Sequence, residues 1–233
     1  MAKNTFFVTG TDTGVGKTMV SAAILEAAKT AGLSTLAMKP IASGCDETPD
    51  GLRNEDALAL QKAMTEDLAY DVINPIALKP AIAPHVAAVQ AGKTVTAQRL
   101  IGFCRGLQIR PADLMVVEGA GGWRVPLNER ETYAALPREL GMPVILVVSL
   151  KLGCINHALL TAEAIRSDGL QVAAWVANRA EPETMSCEQE TLDYLMGHMA
   201  APCLGVLPRL EGPEPDPAEL ARHLDLAHLI EKI

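Results

Sequence analysis

The amino-acid sequence predicts an α/β fold with three layers, in which helices cover both faces of a mostly parallel central sheet. Short runs rich in β-branched residues alternate with longer stretches whose apolar residues recur at helical spacing. Of the 233 residues, 49% are hydrophobic but only 3% are aromatic, a composition that suits helices packed on buried parallel strands. We expect residues 1–233 to form one domain, because a chain of this length can enclose one continuous core.

The elements of the first quarter of the chain follow from its apolar pattern and its glycines and prolines. The run TFFVT (5–9) is a predicted strand, and a helix is predicted over 17–31. A second strand is predicted over 34–39. Residues 40–53 are rich in Gly, Pro, Ser and Asp and are predicted to form a loop, which is followed by a helix over 54–64.

The rest of the chain continues the alternation of strands and helices. Prolines and a glycine interrupt residues 74–95, so we expect only short elements there. Four further strands are predicted over 114–117, 144–149, 172–177 and 204–207. Helical patterns cover 155–167 and 187–200. The segment EGPEPDPA (211–218) predicts a surface loop before a final helix that carries His223 and His228.

The charge and the cysteines limit the classes of protein to which the chain can belong. A net charge of −8 argues against a protein that coats nucleic acid or an anionic membrane. The five cysteines form no CxxC pair, which favours a reducing compartment over a disulfide framework or a zinc site. The longest apolar run, residues 142–150, is far shorter than the ~20 residues that span a bilayer, and the first residues lack the apolar region of a secretion signal. We therefore expect a soluble, cytoplasmic protein.

Residues 10–18 (GTDTGVGKT) have the position and composition of a phosphate-binding loop between the first strand and the first helix. Small residues let backbone N–H groups converge on phosphate oxygens at the start of a helix. Lys17 would reach the β- and γ-phosphates, and the Thr18 hydroxyl would bind Mg²⁺. The strict pattern GxxxxGK[ST] requires glycine where this chain has Thr11, so the assignment depends on the flanking strand and helix. An ordinary strand–turn–helix connection is the alternative to the predicted P-loop NTPase-like domain.

Two carboxylates and a second lysine lie where a phosphoryl-transfer site needs them, since Mg²⁺ prefers a few hard oxygen ligands. Glu118 ends a predicted strand at the edge where open parallel sheets bind ligands, and the glycines after it, including Gly121, let substrate approach the backbone. Lys39 ends the second strand and can stabilise charge on a transferred phosphoryl or carboxylate group, unless it is a solvated surface lysine. From spacing alone, Asp56 is an ordinary first-turn helix acid.

Together these residues resemble the dethiobiotin synthetases, which are ATP-dependent cyclo-ligases of biotin synthesis. The resemblance runs in order through most of the chain, in VTGTDTGVGKT (8–18), MKPIASG (38–44), GLRNEDALAL (51–60), VVEGAGGWRVPL (116–127), PVILVVSLKLGCINHALLTAE (143–163) and WVAN (175–178). The KPIASG and KLGCINH segments are the most specific of these.

The resemblance implies the family's reaction, which closes a ureido ring on 7,8-diaminopelargonic acid. One amine takes up CO₂ to give a carbamate, whose oxygen attacks the γ-phosphate of ATP. The second amine then displaces phosphate from the mixed anhydride. This chemistry needs charge neutralisation and in-line positioning rather than a protein nucleophile. ATP is the implied co-substrate and Mg²⁺ the implied cofactor.

The resemblance also implies roles for matching residues. Lys17 and Lys39 are expected to stabilise the carbamate and γ-phosphate, with Thr13 beside the substrate amines. The implied Mg²⁺ ligands are Thr18, Asp56 and Glu118. The implied nucleotide-binding residues are Gly14, Val15, Gly16, Lys17, Thr18, Asp56, Glu118, Asn178, Leu207, Pro208 and Arg209. The implied substrate-binding residues are Thr13, Lys39, Ser43, Gly121, Gly153, Cys154, Ile155 and Asn156.

The family is homodimeric, so the resemblance implies a homodimer whose substrate-carboxylate site lies near the subunit interface. Residues 153–156 open a predicted helix after a strand, so N–H groups there can bind a carboxylate. Some relatives have Glu where this chain has Gly14, and any role of that carboxylate is absent here. The region 179–200 resembles the family weakly, with Tyr194 as a candidate for contact with the substrate tail.

Three other functions stay open. A regulatory ATPase of the chromosome- or septum-positioning kind would carry a signature lysine at the place of Asp12 and usually an amphipathic membrane or DNA tail. A corrinoid amide ligase would normally append a glutaminase domain, for which 233 residues leave no room. The third is a phosphate-loop protein with another substrate. No histidine pair has metal-ligand spacing, and no serine or cysteine lies in a nucleophile elbow.

Overall fold

The computed structural model describes residues 1–210 and 216–230, and these ranges contain ten strands and nine helices. The strands are β1 (Ala2–Gly10), β2 (Thr35–Met38), β3 (Ile41–Ser43), β4 (Asp46–Thr48), β5 (Gly51–Arg53), β6 (Ile76–Leu78), β7 (Ala112–Gly122), β8 (Val144–Ser149), β9 (Val172–Asn178) and β10 (Cys203–Leu207). The helices are α1 (Lys17–Thr30), α2 (Glu55–Ala63), α3 (Tyr70–Ile73), α4 (Pro84–Gln90), α5 (Ala97–Gln108), α6 (Ala135–Leu140), α7 (Cys154–Ser167), α8 (Glu188–His198) and α9 (Pro217–Ala221). Most of the predicted loop at 211–218 lies outside the described residues.

Six strands form the central sheet, in the order β10-β9-β8-β1-β7-β2, and every neighbouring pair is parallel. All six residues of β8 are buried. Because successive side chains of a strand point to opposite faces, both faces of the sheet are covered here. The predicted α/β fold with a parallel central sheet is therefore confirmed, and the carboxyl ends of β1, β2, β7 and β8 lie at one edge of that sheet.

A bulge shapes the end of β7 at this edge. Val8 of β1 pairs with Glu118, but Gly10 pairs with Gly122, so β7 has extra residues between the two pairs. Beyond the bulge the chain turns back onto the sheet. There Phe7 makes edge-to-face contacts with Trp123 (ring centroids 6.1 Å apart) and Tyr133 (5.5 Å).

The C-terminal end of α7 anchors the same segment. Asp168, which follows the helix, accepts hydrogen bonds from Trp123 Nε1 (2.8 Å) and from the Arg124 guanidinium (2.6 and 3.2 Å). Charged hydrogen bonds of this kind contribute more than neutral ones. The segment that follows the Gly-rich end of β7 is thus held by Phe7 of β1 and by Asp168 at the end of α7.

The prediction of a loop over residues 40–53 is wrong, because three short strands lie there. β3 pairs in parallel with β6 as a second small sheet, and β4 pairs with β5 as an antiparallel hairpin. The turn of the hairpin includes Gly51, whose φ of 103° favours glycine. The glycines and prolines mark the turns correctly, but strands of three residues are too short to show an alternating pattern.

The end of the chain also differs from the prediction. α9 ends at Ala221, so His223 and His228 lie beyond the final helix rather than on it. The chain leaves the helix because the N–H of Asp225 donates to the carbonyl of Leu204 at 2.8 Å, which ties this segment to β10. In residues 1–210 and 216–230, no helix is long and apolar enough to cross a membrane.

Candidate active site

The phosphate loop connects β1 to α1 at the carboxyl edge of the central sheet. Gly14 and Gly16 have φ angles of 74° and 86°, a region that side chains disfavour. Gly16 is the N-cap residue of α1, and no side chain caps the helix there. The first N–H groups of α1 therefore form an anion-binding N-terminus.

Two lysines and two carboxylates meet beside this loop. Lys39 Nζ lies 2.6 Å from Asp56 Oδ2 and 2.6 Å from Glu118 Oε1. The Thr18 hydroxyl donates to the same Glu118 oxygen at 2.9 Å. Lys17 Nζ donates to the carbonyl of Asp12 at 3.2 Å. Four separate parts of the fold thus bring these groups to one place: the start of α1, the residue after β2, strand β7 and the first turn of α2.

Burial and opposite charge act against each other at Lys39 and Asp56. Burial would lower the pKa of Lys39, but the charges of Glu118 and Asp56 outweigh it and raise that pKa. Burial would likewise raise the pKa of Asp56, but the ammonium of Lys39 holds it below the ordinary value. The ion pair therefore favours the charged form of both groups.

Lys17 has the opposite balance. Burial lowers the pKa of Lys17, and the nearby ammonium of Lys39 lowers it further, while Glu118 offsets only part of this effect. A buried ammonium that lacks a close carboxylate partner is stabilised when an anion binds next to it. This is the environment expected of a lysine that binds phosphate oxygens.

The oxygen atoms of this cluster fit a divalent cation such as Mg²⁺. Thr18, Asp56 and Glu118 supply a hydroxyl and two carboxylates, which are hard ligands. Glu118 is fully buried, and its Oε2 atom has no hydrogen-bond partner among the described residues. A buried oxygen without a partner is costly unless a cation or water satisfies it. No group of three or more His, Cys, Asp or Glu in the described chain forms a separate metal site.

A cavity of about 340 Å³ opens onto this cluster and brings together most of the predicted reaction residues. Its walls are Thr13, Gly14, Gly16, Lys17, Thr18, Met19, Lys39, Ala42, Ser43, Asp56, Ala120 and Gly121. Met19, Ala42 and Ala120 were not predicted, although each adjoins a predicted residue in the sequence. A volume of this size accommodates a small polar substrate together with phosphate groups.

A second cavity, also about 340 Å³, shares Gly14, Gly16 and Met19 with the first, so the two adjoin. Its other walls are Asn178, Arg179, Ala180, Pro208, Arg209, Leu210 and Leu220. Arg179 and Ala180 follow a predicted residue directly, whereas no sequence pattern pointed to Leu220 on α9. Leu207 and Val15 are buried and line neither cavity.

Hydrogen bonds tie the walls of the second cavity to the phosphate loop. Asn178 Nδ2 donates to the carbonyl of Val15 at 2.8 Å, which joins the end of β9 to the loop. Arg209 donates to the carbonyl of Ala180 at 2.7 Å, which joins the loops after β10 and β9. The Asn178 amide oxygen remains as an acceptor for an amino group.

The residues of the predicted carboxylate site line neither of the two cavities described above. Gly153, Cys154, Ile155 and Asn156 start α7 as expected, but they line neither cavity. Leu152, directly before them, is 94% exposed. Tyr194 lies on α8 with 43% of its surface exposed, and its ring stacks on that of His198.

Comparison with known proteins gives close relatives over the whole chain. A family model described as an AAA domain matches residues 4–216. The chain is 74% identical over 233 residues to the ATP-dependent dethiobiotin synthetase BioD of Marinobacter nauticus, covering 99% of this chain and 100% of that protein. It is 53% identical over 231 residues to the ATP-dependent dethiobiotin synthetase BioD of Cellvibrio japonicus, with 99% and 100% covered.

Solved structures of distant proteins share the fold. A ParA family ATPase from Chlorobium tepidum superposes with a TM-score of 0.56 at 15% identity, covering 90% of this chain and 86% of that one. The cell division ATPase MinD of Pyrococcus furiosus gives a TM-score of 0.56 at 15% identity, with 97% of each chain covered. At such identities the similarity concerns the fold alone.

Proposed function

The chain belongs to the ATP-dependent dethiobiotin synthetase family, and from this premise we propose how its residues share the work of the reaction. The enzyme uses ATP to carboxylate 7,8-diaminopelargonic acid and to close the ureido ring of dethiobiotin, a step of biotin synthesis. The observation that carries the proposal is the ion cluster of Lys39, Asp56 and Glu118 beside the phosphate loop. It provides charge stabilisation where the transferred phosphoryl group would lie.

The two lysines neutralise negative charge during the reaction. An amine of the substrate attacks CO₂ and loses a proton, which leaves a carbamate anion in the first cavity beside Thr13 and Ser43. Lys39 holds the carbamate oxygen near the γ-phosphate, and Lys17 with the N–H groups of α1 binds the phosphate oxygens. The carbamate and the γ-phosphate are both negatively charged and repel each other. The two ammonium groups lower the barrier by reducing this repulsion.

The second half of the reaction needs positioning more than acid–base groups. Once the carbamate oxygen has bonded to the γ-phosphorus and ADP has left, the second amine attacks the carbonyl carbon of the mixed anhydride. Phosphate leaves and the ring closes. Gly121 and Thr13 both line the cavity, so the end of β7 confines the substrate between the phosphate loop and Lys39.

We propose Thr18, Asp56 and Glu118 as the ligands of Mg²⁺, since their oxygens suit that ion and the buried Oε2 of Glu118 calls for a cationic partner. When bound, Mg²⁺ would neutralise phosphate charge. The second cavity is the proposed site of the adenine base. Asn178 offers an amide oxygen to the exocyclic amino group, with Leu207 beneath it and Pro208 and Arg209 at its wall.

We further propose a homodimer in which Gly153–Asn156 of one subunit bind the carboxylate of a diamine held by the other. In support, these residues start a helix and line neither cavity of their own chain. Residues 1–233 are proposed to form one domain. We also propose a cytoplasmic location, since the five cysteines are free thiols in residues 1–210, where all of them lie.

A turnover assay tests the proposed function. We expect the purified protein, incubated with 7,8-diaminopelargonic acid, bicarbonate and MgATP, to form dethiobiotin and ADP in equal amounts. Omission of the diamine should stop ADP formation, and a chelator of Mg²⁺ should stop both products. ATP hydrolysis at the same rate with and without the diamine would refute the assignment.

A further inference from the structure

A chain of buried hydrogen bonds joins the backbone of Lys39 to the start of α2. Asn74 Nδ2 donates to the Lys39 carbonyl oxygen at 2.6 Å, and the Tyr70 hydroxyl donates to Asn74 Oδ1 at 3.1 Å. The same hydroxyl accepts the backbone N–H of Asn54, the N-cap residue of α2, at 2.7 Å. We call Asn74, Tyr70 and Asn54 the polar bridge.

The polar bridge is shielded from water. Tyr70 is 7% exposed, Asn74 2% and Asn54 5%. Burial raises the pKa of Tyr70, so the hydroxyl keeps the proton that it donates to Asn74. Unpaired polar groups are costly in such surroundings, so each hydrogen bond restricts the geometry of the groups that it joins.

One end of the polar bridge fixes the backbone of Lys39 on both sides. The Lys39 N–H donates to the carbonyl of Ile73 at 2.9 Å, while its carbonyl accepts from Asn74. Lys39 follows the end of β2, where the sheet no longer restrains the chain. α3 and the residue after it thus determine the direction in which the long side chain leaves the backbone.

The other end fixes the first turn of α2. The Asn54 side-chain oxygen accepts the N–H of Ala57 at 3.3 Å, and Asp56 lies between these two residues. The polar bridge therefore joins the backbone of Lys39 to the turn that carries Asp56, and the side chains of these two residues meet at 2.6 Å.

We propose that Tyr70 and Asn74 are positioning residues for the ligase reaction: they fix the Lys39 ammonium relative to the Asp56 carboxylate. The inference rests on the proposed roles of Lys39 and Asp56. Neither Tyr70 nor Asn74 lines the reaction cavity, so both act through the residues that they hold. A displacement of about 1 Å at a reacting group costs up to roughly 100-fold in rate, which gives this restraint a measurable effect.

The test compares Tyr70→Phe with a control that loses a similar hydrogen bond elsewhere. In Thr35→Val, the buried Thr35 loses the hydroxyl that accepts the backbone N–H of Thr65 at 2.9 Å, at the end of β2 away from Lys39. We expect both variants to lower the melting temperature by similar amounts. Only Tyr70→Phe should lower kcat, by about tenfold or more, with KM for ATP within about twofold because the phosphate loop is unchanged.

The outcomes separate this inference from the proposed function. A kcat for folded Tyr70→Phe within about twofold of wild type, or an equal loss in Thr35→Val, overturns the inference. If Tyr70→Phe does not fold, Asn74→Ser, which keeps Tyr70 and its bond to Asn54, is judged by the same criteria. Lys39→Gln is measured in parallel. Normal turnover in Lys39→Gln removes the proposed role of Lys39 and the inference with it, whereas an inactive Lys39→Gln beside a normal Tyr70→Phe refutes the inference alone.

Discussion

The ammonium of Lys39 lies 2.6 Å from an oxygen of Asp56 and 2.6 Å from one of Glu118, and only 4% of Lys39 is exposed. Glu118 is fully buried, and the ammonium of Lys39 is its ion-pair partner. Removal of one member of a buried ion pair leaves the other charge uncompensated. The charges that hold the cluster together are also those that the proposed mechanism uses to stabilise carbamate and phosphate.

For Lys39→Gln we expect kcat to fall by about 100-fold or more, because the reacting anions lose a stabilising charge in a site of low polarity. The overall fold should persist, as measured by circular dichroism. Lys62→Gln is the control, since Lys62 is exposed on α2, the helix that carries Asp56. Near-normal turnover in Lys39→Gln would remove this residue from the mechanism.

The buried thiol of Cys104 links stability to pH. Burial raises the pKa of Cys104 from 9.0 to about 12. Between these values the unfolded chain releases a proton that the folded chain keeps, so the stabilisation is complete below pH 9 and is lost as the pH rises towards 12. Each pH unit in this window lowers the free energy of unfolding by up to about 1.4 kcal/mol for this one group.

We therefore expect Cys104→Ala to lose less stability than the wild type on raising the pH from about 9 to about 11. Urea unfolding at several pH values measures the two slopes. Cys187→Ala is the control and should keep the wild-type slope, since Cys187 is exposed. Parallel curves for Cys104→Ala and the wild type would contradict the link between this thiol and alkaline unfolding.

At the scale of the element, the phosphate loop depends on two glycines in different ways. Both have positive φ, so alanine at either position carries backbone strain of about 1–2 kcal/mol. A Cβ atom at Gly14 would meet nothing within 4 Å, whereas one at Gly16 would overlap the amide nitrogen of Asn178. Both glycines line the second cavity, but only Gly16 packs directly against the Asn178 side chain.

We expect Gly14→Ala to weaken ATP binding by about 30-fold at most, the equivalent of its backbone strain of about 1–2 kcal/mol. Gly16→Ala should weaken it by about 100-fold or more, because Asn178 must leave its position beside Val15 as well. Titration calorimetry with MgATP measures both constants. Equal affinities for the two variants would show that the contact between Gly16 and Asn178 has no part in nucleotide binding.

Among the elements, the apolar strands were predictable and the polar ones were not. The predicted bounds of β8 are those observed, because each of its residues is apolar or small and buried. β1 begins three residues earlier than predicted, since Ala2–Asn4 pair with β7 through their backbone without an apolar pattern. α5 was missed although its buried residues have helical spacing, namely Leu100, Ile101, Cys104 and Leu107. That spacing was the available signal.

The site residues also divide into those that were predictable from the sequence and those that were not. Lys17 and Thr18 belong to a local motif, so their common position follows from neighbouring residues in the sequence. The contact between Lys39 and Glu118 joins residues 79 positions apart, and it depends on how strands pair across the sheet. Tyr70 and Asn74 belong to no motif at all. The role of a single tyrosine or asparagine can be inferred only from the buried groups to which it is hydrogen-bonded in the structure.

At the scale of the whole molecule, the proposed dimer predicts a role for Leu152. This side chain is 94% exposed and adjoins the proposed carboxylate site at the start of α7. We expect sedimentation equilibrium to give two chains for the wild type. Leu152→Glu should shift the protein towards one chain and raise KM for the diamine by about tenfold or more, with ATP affinity unchanged because that cavity lies within one chain.

Ile109→Glu is the matched control for this experiment. Ile109 is 69% exposed and precedes β7, at the edge of the sheet opposite Leu152. The Ile109→Glu variant should leave both the mass of the assembly and KM for the diamine unchanged. A wild-type protein of one chain, or a Leu152→Glu variant that keeps two chains and a normal KM, would exclude the proposed arrangement.

The central place of β1 in the sheet has a consequence for synthesis of the protein. Its two neighbours are made much later, since Ala2 pairs with Ala112 and Gly10 with Val147. A ribosome adds about 5–20 residues per second, so this strand waits on the order of ten seconds for its second neighbour. During that time Phe6, Phe7 and Val8 are an apolar stretch without a partner, and neighbouring nascent chains can pair with it. The segment that contains β1 is therefore most open to pairing with other chains until residues 112–147 have been made.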